Sequence, residues 1–244
     1  MIRLVGLTKR WGDQVAVDRL DLDVAAGTIF GFLGRNGAGK TTTIKMTMGL
    51  LEPTAGRVLL GGHDVARAPE AAKAITGYVP DRPWLHEKLT GREHLVFVGG
   101  LFGLDARTAA ARSDALLGDL ALAAQADELI ETYSHGMKQR LALAGALVHR
   151  PRILILDEPM VGLDPEGARD LRRRLRALAA DGVAIFLSTH SLPVAEEVAD
   201  RIGIIDRGRL VAAGTLAELR AHAGGAGASL EEIFLDVLGV GATA

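Results

Sequence analysis

The chain of 244 residues contains no cysteine, which excludes disulfide bonds and thiolate metal sites. No apolar run approaches the roughly 18 residues of a membrane-spanning helix. The formal net charge is −2, which argues against a general nucleic-acid binder because such proteins usually carry a basic excess. The first residues lack the pattern of a signal peptide. The sequence therefore predicts a protein that is soluble or peripheral to a membrane-spanning partner.

The most informative stretch runs from Gly34 to Thr41 and reads GRNGAGKT. It fits the P-loop pattern, with an apolar run at 29–33 before it and a helical segment at 42–50 after it. Its glycines let successive N–H groups face one point, at which the helix also aims its positive end. A glycine-rich turn that merely joins strand to helix is the weaker alternative. The predicted nucleotide-binding residues here are Gly34, Asn36, Gly37, Ala38, Gly39, Lys40, Thr41 and Thr42.

Two side chains of this stretch have separate chemical tasks. Lys40 supplies a mobile positive charge for the β- and γ-phosphates, and the Thr41 hydroxyl is placed to ligate Mg²⁺.

A strand at 153–156 then runs directly into Asp157 and Glu158. Asp157 has the placement of a second Mg²⁺ ligand, and Glu158 could accept a proton from an attacking water. The alternative, a loop or helix cap, is weaker because two adjacent carboxylates end the strand.

The remaining pattern predicts an α/β fold. Short strands with turns form an antiparallel start, and helical periodicity dominates from Thr90 to about Arg150, opening with a capping box between Thr90 and Glu93. Apolar strands then alternate with helices, which is typical of a parallel sheet covered on both faces. The strands are expected at 2–7, 15–17, 20–24, 57–60, 75–79, 153–156, 183–187 and 202–205, and the later helices at 165–180, 192–199 and about 229–238.

With these residues in place, the chain resembles the ATP-binding subunits of ABC transporters over nearly its whole length. The segment 133–140, YSHGMKQR, loosely matches the signature region LSGGQ of that family. The segment 162–164 looks like its D-loop, and His190 looks like its switch histidine at the end of a strand. Trp11 aligns with its adenine-stacking aromatic, which favours that role over the alternative of a surface aromatic capping a sheet edge.

The resemblance implies a head-to-tail dimer with two ATP molecules between the subunits. Ser134 and Gly136 precede a helix and would close on the γ-phosphate held by the partner's P-loop. His190 would hydrogen-bond the γ-phosphate and position the water. Asp164 would act across the dimer. Each has a structural alternative, since Ser134 and Asp164 can be ordinary N-caps and a lone histidine on a strand is usually structural.

The chain departs from the family pattern at several positions. Asp81 stands where a glutamine is usual; it keeps an oxygen for Mg²⁺ or water but is shorter and adds negative charge. Arg35 replaces a common proline, and His135 and Met137 replace a glycine and a glutamine of the signature. We expect the γ-phosphate contact to survive because Ser134 and Gly136 are retained.

An apolar segment follows Asp81, at 84–85 and 95–102. It can pack the core of the helical region, and the resemblance implies that it can also receive a short helix from a membrane-spanning partner. The C-terminal segment Ser229 to Leu235 looks like the exporter-type branch of the family. Residues 221–228 look like a linker because they are nearly all small.

We therefore expect a P-loop NTPase core with a mostly parallel sheet, an N-terminal antiparallel β-subdomain and an inserted helical subdomain. Residues 1–220 would form the ATPase domain, with the helical part at about 82–150, and residues 221–244 a linker and a last helix. The function implied is ATP hydrolysis with Mg²⁺ at the cytoplasmic face of the membrane. Its partners would be a separate permease acting in export and a second, identical or related ATPase subunit, with no nucleic acid.

Other functions leave specific features unexplained. A non-transport ABC ATPase acting on ribosomes or DNA usually carries two cassettes or a long coiled-coil insertion, and neither is visible. A P-loop kinase would leave the signature region and His190 without a task. A GTPase of the usual kind needs an Asn-Lys-x-Asp element, yet Asn36 is the only asparagine.

Overall fold

The structure, a computed structural model, describes residues 1–222 and 227–239. Its strands are β1 (Ile2–Trp11), β2 (Gln14–Val24), β3 (Ile29–Leu33), β4 (Ala55–Leu60), β5 (His63–Asp64), β6 (Thr76–Val79), β7 (Ile153–Asp157), β8 (Ala184–Thr189), β9 (Arg201–Asp206) and β10 (Arg209–Gly214). Its α-helices are α1 (Lys40–Thr47), α2 (Pro69–Ala74), α3 (Gly91–Leu101), α4 (Ala106–Asp119), α5 (His135–Leu147), α6 (Pro165–Ala180), α7 (Leu192–Val198), α8 (Leu216–His222) and α9 (Leu230–Val237). Short 3-10 helices lie at Ala123–Gln125 and Ile130–Thr132.

The described strands form two sheets. The antiparallel sheet has the order β2-β1-β4-β5, and the larger sheet has the order β10-β9-β3-β8-β7-β6. Within the larger sheet, β3, β6, β7, β8 and β9 pair in parallel, and β10 joins β9 antiparallel. Every residue of β3, β7 and β8 is buried, as expected for parallel strands covered on both faces.

This topology brings the chemical residues to one edge of the larger sheet. The P-loop follows the carboxyl end of β3, Asp157 ends β7 and Thr189 ends β8. Asp157 lies opposite Ser188 in the register of β7 and β8, so the ends of these neighbouring strands are level. Crevices at the carboxyl ends of parallel strands are the usual ligand sites of such sheets.

Side-chain caps begin several helices where the sequence predicts them. Thr90 and Glu93 form a reciprocal capping box at α3. Ser134 accepts a hydrogen bond from the backbone N–H of Met137 at α5, and Asp164 accepts one from Gly167 at α6. A second capping box, between Ser229 and Glu232, begins α9. These predictions are confirmed, and each cap satisfies a backbone donor that the helix itself leaves free.

Several elements differ from the sequence-based expectation. The strands expected at 15–17 and 20–24 are one strand, β2, which passes a region of irregular pairing where Arg19 adopts a φ of 47°. The polar pair Asp18-Arg19 interrupts the apolar pattern there, because a bulge shifts the alternation of side chains between faces. The elements β5, β10, α2 and α8 have no counterpart among the expected elements.

The core has a separate part on each side of the larger sheet. One buried cluster joins the antiparallel sheet and α1 to one face, and a second lies between the other face and α3, α5 and α6. A third cluster, around Leu230 and Ile233, anchors α9 against β3, β9 and α7. Within the described residues, no helix has the length and apolar content needed to cross a membrane.

The predicted division into domains stays a prediction. The helices α3, α4 and α5 fall inside the limits 82–150 proposed for the helical subdomain. Of the expected linker at 221–228, residues 223–226 lie outside the described residues. The segment before them is the end of α8, so the chain is helical up to His222 rather than irregular from residue 221.

Candidate functional site

A cavity of about 820 Å³ lies at the carboxyl edge of the larger sheet. It is lined by residues from the P-loop, the ends of β1, β7 and β8, and the turn between β9 and β10. The sequence-predicted site residues that line it are Trp11, Asn36, Gly37, Gly39, Lys40, Thr41, Thr42, Asp81, Asp157, Glu158 and His190. Gln14, Arg35 and Arg207 also line it. The structure thus brings together predicted site residues from opposite ends of the sequence, such as Trp11 and His190.

Gly34 and Ala38 lie in the same loop but do not line the cavity. A Cβ atom on Gly34 would lie 2.6 Å from the carbonyl oxygen of Ile205, so only glycine lets the beginning of the P-loop pass this close to β9. Gly39, with a φ of 111°, has the left-handed backbone conformation that precedes α1. Gly34 therefore serves close packing, whereas Gly39 turns the chain into the helix.

The Lys40 side chain folds back over the loop. Its Nζ donates to the carbonyl oxygen of Gly34 at 2.6 Å and to that of Arg35 at 3.3 Å. Burial lowers the pKa of Lys40, while the negative charges of Glu158 and Asp157 act in the opposite direction. The ammonium group is thus held at the cavity wall by weak carbonyl acceptors, which a phosphate oxygen can replace with a stronger charge-assisted bond.

Thr41 and Asp157 present adjacent oxygen atoms to the cavity. The Thr41 hydroxyl donates to Oδ2 of Asp157 across 3.4 Å. Asp157 is 2% exposed, and burial raises the pKa of its carboxyl, with Glu158 and Asp81 acting in the same direction. A hydroxyl and a carboxylate are ligands that Mg²⁺ accepts when phosphate oxygens and water complete its octahedron. The Thr41–Asp157 pair therefore fits Mg²⁺. The positive charge of the ion would offset the negative charges of Asp157, Glu158 and Asp81, which lie close together.

Replacing Asp157 by Asn is expected to stabilise the nucleotide-free chain at neutral pH. A carboxyl whose pKa is raised in the fold weakens the fold at pH values above that pKa. Asn removes this penalty and keeps the shape, so thermal melting should show a rise in Tm of roughly 2–4 °C, which corresponds to about 1 kcal/mol at this chain length. The gain should disappear as the pH falls below the ordinary value of 3.8, where both side chains are neutral. A lower Tm at pH 7 would contradict the prediction.

Both carboxylate oxygens of Glu158 are engaged by β8 and the residue after it. The Thr189 hydroxyl donates to Oε2 at 3.1 Å, and Nδ1 of His190 lies 2.8 Å from Oε1. Glu158 has a φ of 52°, and its backbone N–H donates to the carbonyl oxygen of Ser188 at 2.9 Å. The side chain is 14% exposed, whereas His190 is 58% exposed toward the cavity.

Thr189 is a residue that the sequence reasoning missed as a separate part of the site. It is buried, and its hydroxyl also accepts the backbone N–H of Ser191 at 3.1 Å. A hydroxyl at the last position of an apolar strand, directly before His190, is a signal that could have indicated it. The contact with Glu158 depends on the spacing of β7 and β8, which the sequence does not show.

Trp11 stands at the outer end of the cavity. Its side chain is 55% exposed, and the Lys9 ammonium lies 4.3 Å from the centre of its ring. The ring is therefore a flat surface at the rim, with a cation against it. Asp81, which the sequence also placed near the phosphates, lies on the cavity wall close enough to raise the pKa of Asp157.

Ser134, Gly136 and Asp164 do not line this cavity. They line a second cavity of about 610 Å³, between the beginnings of α5 and α6. Within one chain the structure therefore separates these residues from the P-loop. This separation is the arrangement expected if they serve a nucleotide held by another copy.

The comparisons with known proteins agree with this geometry. The family model described as ABC transporter matches residues 17–161, a stretch that contains the P-loop and the Asp157-Glu158 pair. The chain belongs to the ABC transporter family. The ABC ATPase predicted from the sequence, with its α/β fold, is confirmed, and this ABC protein is an ATP-binding subunit by its family, its relatives and its fold.

Among curated relatives, the Daunorubicin resistance ATP-binding protein DrrA3 of Streptomyces coeruleorubidus is 44% identical over 92% of this chain and 71% of that protein. The Bacitracin transport ATP-binding protein BcrA of Bacillus licheniformis is 40% identical over 86% of this chain and 68% of that protein. A solved structure of an ATP-binding subunit of an ABC transporter superposes with a TM-score of 0.92 at 34% identity, covering 98% of this chain and 99% of that one.

A dimeric ATP-binding cassette in a post-hydrolysis state, bound to ADP and Pi, superposes with a TM-score of 0.81. It is 23% identical and covers 88% of this chain and 99% of that one, so it supports the fold.

Proposed function

We propose that the ABC protein hydrolyses ATP as a head-to-tail dimer and drives a separate membrane permease that exports its cargo. The observation that supports this most directly is the division of the site between two cavities. The P-loop cavity holds Lys40, Asp157 and Glu158, whereas Ser134 at the beginning of α5 faces the other cavity. One chain thus holds two unlike halves, and two copies in opposite orientation complete both sites.

Within its own half, the chain would bind the phosphates through the P-loop N–H groups and Lys40. Mg²⁺ held by Thr41 and Asp157, with Asp81 nearby, would supply charge neutralisation at the phosphate oxygens. The indole of Trp11 would stack on the adenine. Ser134, Gly136 and Asp164 of a second copy would then cover the γ-phosphate.

Glu158 would act as the general base. A water molecule in line with the γ-phosphate would lose its proton to the carboxylate as its oxygen bonds to phosphorus, and the bond to ADP would break. His190, whose Nδ1 lies against Glu158, would keep its other ring nitrogen directed at the γ-phosphate. In this arrangement Glu158 is oriented from two sides before the nucleotide arrives.

Replacing Thr189 by Val is expected to lower kcat by roughly ten-fold, because it removes one hydrogen bond to a charged oxygen of the base. The shape of the side chain is kept, so KM for ATP should not change. Steady-state ATPase assays would measure both constants. Thr189→Ser, which keeps the hydroxyl, should restore most of the rate. A loss that Ser does not restore would contradict a positioning role.

The proposed permease contact is an apolar groove of about 480 Å³ beside α3. Trp84, 77% exposed, and Leu101, 71% exposed, lie along it. Leu50, Phe97 and Phe102 also contribute large exposed apolar surface. Such a groove fits the apolar face of a short helix. The protein would thereby sit peripherally at the cytoplasmic face of the membrane.

The proposed direction of transport rests on the relatives. The names of the proteins described above, daunorubicin resistance and bacitracin transport, point to antibiotic-type cargo, and Nod factor export proteins are 40–43% identical to this chain. We infer that the cargo here is likewise an antibiotic-type molecule that leaves the cell. The permease would select it.

Affinity purification of the tagged chain from its native membranes tests the proposal. We expect a six-helix membrane protein to co-purify, and ATP with Mg²⁺ to convert the isolated chain to dimers in sizing experiments. Trp84→Ala should weaken the permease association while leaving ATP binding intact. Recovery of ribosomes or DNA in place of a membrane protein would favour a non-transport ABC ATPase.

A further inference from the structure

The indole of Trp11 has a cation against it that lies outside the P-loop cavity. Nζ of Lys9 is 4.3 Å from the centre of the Trp11 ring. Trp11 lines the cavity, whereas Lys9 does not. A planar ring has two faces, and a group that touches one face from outside the cavity covers the outer one. The inner face of the indole is thereby left to the cavity.

A second contact holds the Lys9 ammonium in place. Its Nζ donates to the backbone carbonyl oxygen of Glu52 at 2.7 Å. Glu52 lies in the segment between α1 and β4, which is tied to β1 on both sides of Lys9. The backbone N–H of Thr54 donates to the carbonyl oxygen of Thr8 at 2.8 Å, and the Thr54 hydroxyl accepts the backbone N–H of Arg10 at 3.0 Å. The position of the ammonium is thus fixed by the ring and by the carbonyl together.

Trp11 itself has little packing that would fix its orientation. It ends β1 at the turn to β2, and its side chain is 55% exposed. Its register partner across the turn is Gln14, which also lines the cavity. Ordering a half-exposed ring when a ligand stacks on it costs conformational entropy. A contact that already orients the ring lowers this cost.

A cation suits the outer face of the indole better than an apolar side chain does. The face of an aromatic ring carries partial negative charge, and among the aromatic residues Trp attracts cations most strongly. This attraction holds the ring without filling the cavity. A methionine at position 9 would still touch the ring, but it would lack both the charge and the hydrogen bond to Glu52.

We propose that Lys9 is a positioning residue for the nucleotide base. Its ammonium holds the Trp11 indole from the outer face, so that the inner face is oriented for stacking before ATP binds. The inference rests on the proposed function at one point, the stacking of adenine on Trp11. Lys9 touches neither the nucleotide nor the phosphate-binding residues in this arrangement, so its effect should be limited to ligands that contain a base.

Lys9→Met should weaken ATP binding by roughly two- to five-fold, which corresponds to the loss of one exposed cation–π contact. Calorimetry with Mg²⁺ should show no change for tripolyphosphate, which has the phosphates but no base. In ATPase assays KM for ATP should rise and kcat should stay unchanged. Lys9→Arg, which keeps a cation for the ring, should restore the affinity. Arg10→Met removes a neighbouring exposed charge that does not line the cavity, and it should bind ATP normally.

A double-mutant cycle tests whether Lys9 acts through the ring. Trp11→Ala should weaken ATP binding by at least about five-fold, because stacking of a base on an aromatic side chain contributes this much. Adding Lys9→Met to Trp11→Ala should cause no further loss, since the ring on which Lys9 acts is absent. Binding of tripolyphosphate by each variant shows that it is folded.

Four results would overturn the proposal, and each points to a different cause. If Trp11→Ala weakens ATP binding and Lys9→Met does not, adenine stacks on the ring without help from Lys9. Tighter binding of ATP by Lys9→Met would show that the ammonium occupies the face that the base needs. Equal losses for ATP and tripolyphosphate would indicate a long-range effect of charge. Unchanged affinity in Trp11→Ala would contradict the stacking itself, and with it the base contact of the proposed function.

Discussion

Replacing Glu158 by Gln is expected to reduce ATP turnover by roughly 10²–10⁴-fold, the contribution typical of a positioned general base. The amide keeps the shape of the side chain, and its oxygen can still accept the hydrogen bond from Thr189 that holds Oε2 at 3.1 Å. It cannot take the proton of the attacking water. The variant should therefore still bind ATP. The ATP-bound dimer should persist, because the hydrolysis that normally leads to its dissociation no longer occurs.

The measurement combines single-turnover hydrolysis with sizing in ATP and Mg²⁺. Glu70→Gln, in the first turn of α2 and outside the cavity, is the matched control and should retain normal turnover. Unchanged turnover in Glu158→Gln would rule out Glu158 as the general base. A slow variant that stays monomeric in ATP would instead contradict the proposed dimer.

Replacing Lys40 by Met is expected to weaken ATP binding by roughly 100-fold. Met keeps the aliphatic part of the side chain but removes the ammonium group, and a hydrogen bond to a charged group contributes about 1.5–3 kcal/mol. The nucleotide-free fold should be little affected, because the ammonium is partly desolvated and its partners are the carbonyl oxygens of Gly34 and Arg35.

Isothermal titration calorimetry with ATP and Mg²⁺ would give the affinities, and thermal melting would show that the variant is folded. Lys45→Met is the control on the same helix, since Lys45 is exposed in the last turn of α1 and does not line the cavity. Equal losses of ATP affinity in both variants would show that Lys40 acts through its long-range charge rather than through direct contact with a phosphate. A loss confined to Lys40→Met supports direct phosphate contact.

Much of the fold follows from local patterns. The alternation of apolar strands with helices predicts a parallel sheet because strands buried on both faces need apolar side chains at every position. The caps at Thr90, Ser134, Asp164 and Ser229 are equally local, since each involves a side chain and a backbone N–H three residues away. The bulge near Arg19 escaped prediction because it depends on pairing with β1.

The candidate site, like the fold, is predictable from the sequence only in part. Its chemical groups are recognisable in the sequence because phosphate binding needs consecutive backbone N–H groups, a lysine and a hydroxyl within one short loop. The order of Lys40, Asp157 and His190 along the chain then indicates the family. Through this resemblance the sequence predicts an ATPase, and the comparisons agree.

Contacts between distant segments were decided by tertiary structure alone. The hydrogen bond from Thr189 to Glu158 depends on how β7 and β8 align, and the need for glycine at position 34 depends on the approach of Ile205. Periodicity along the chain carries no information on these distances, because they arise only when elements far apart in sequence pack together.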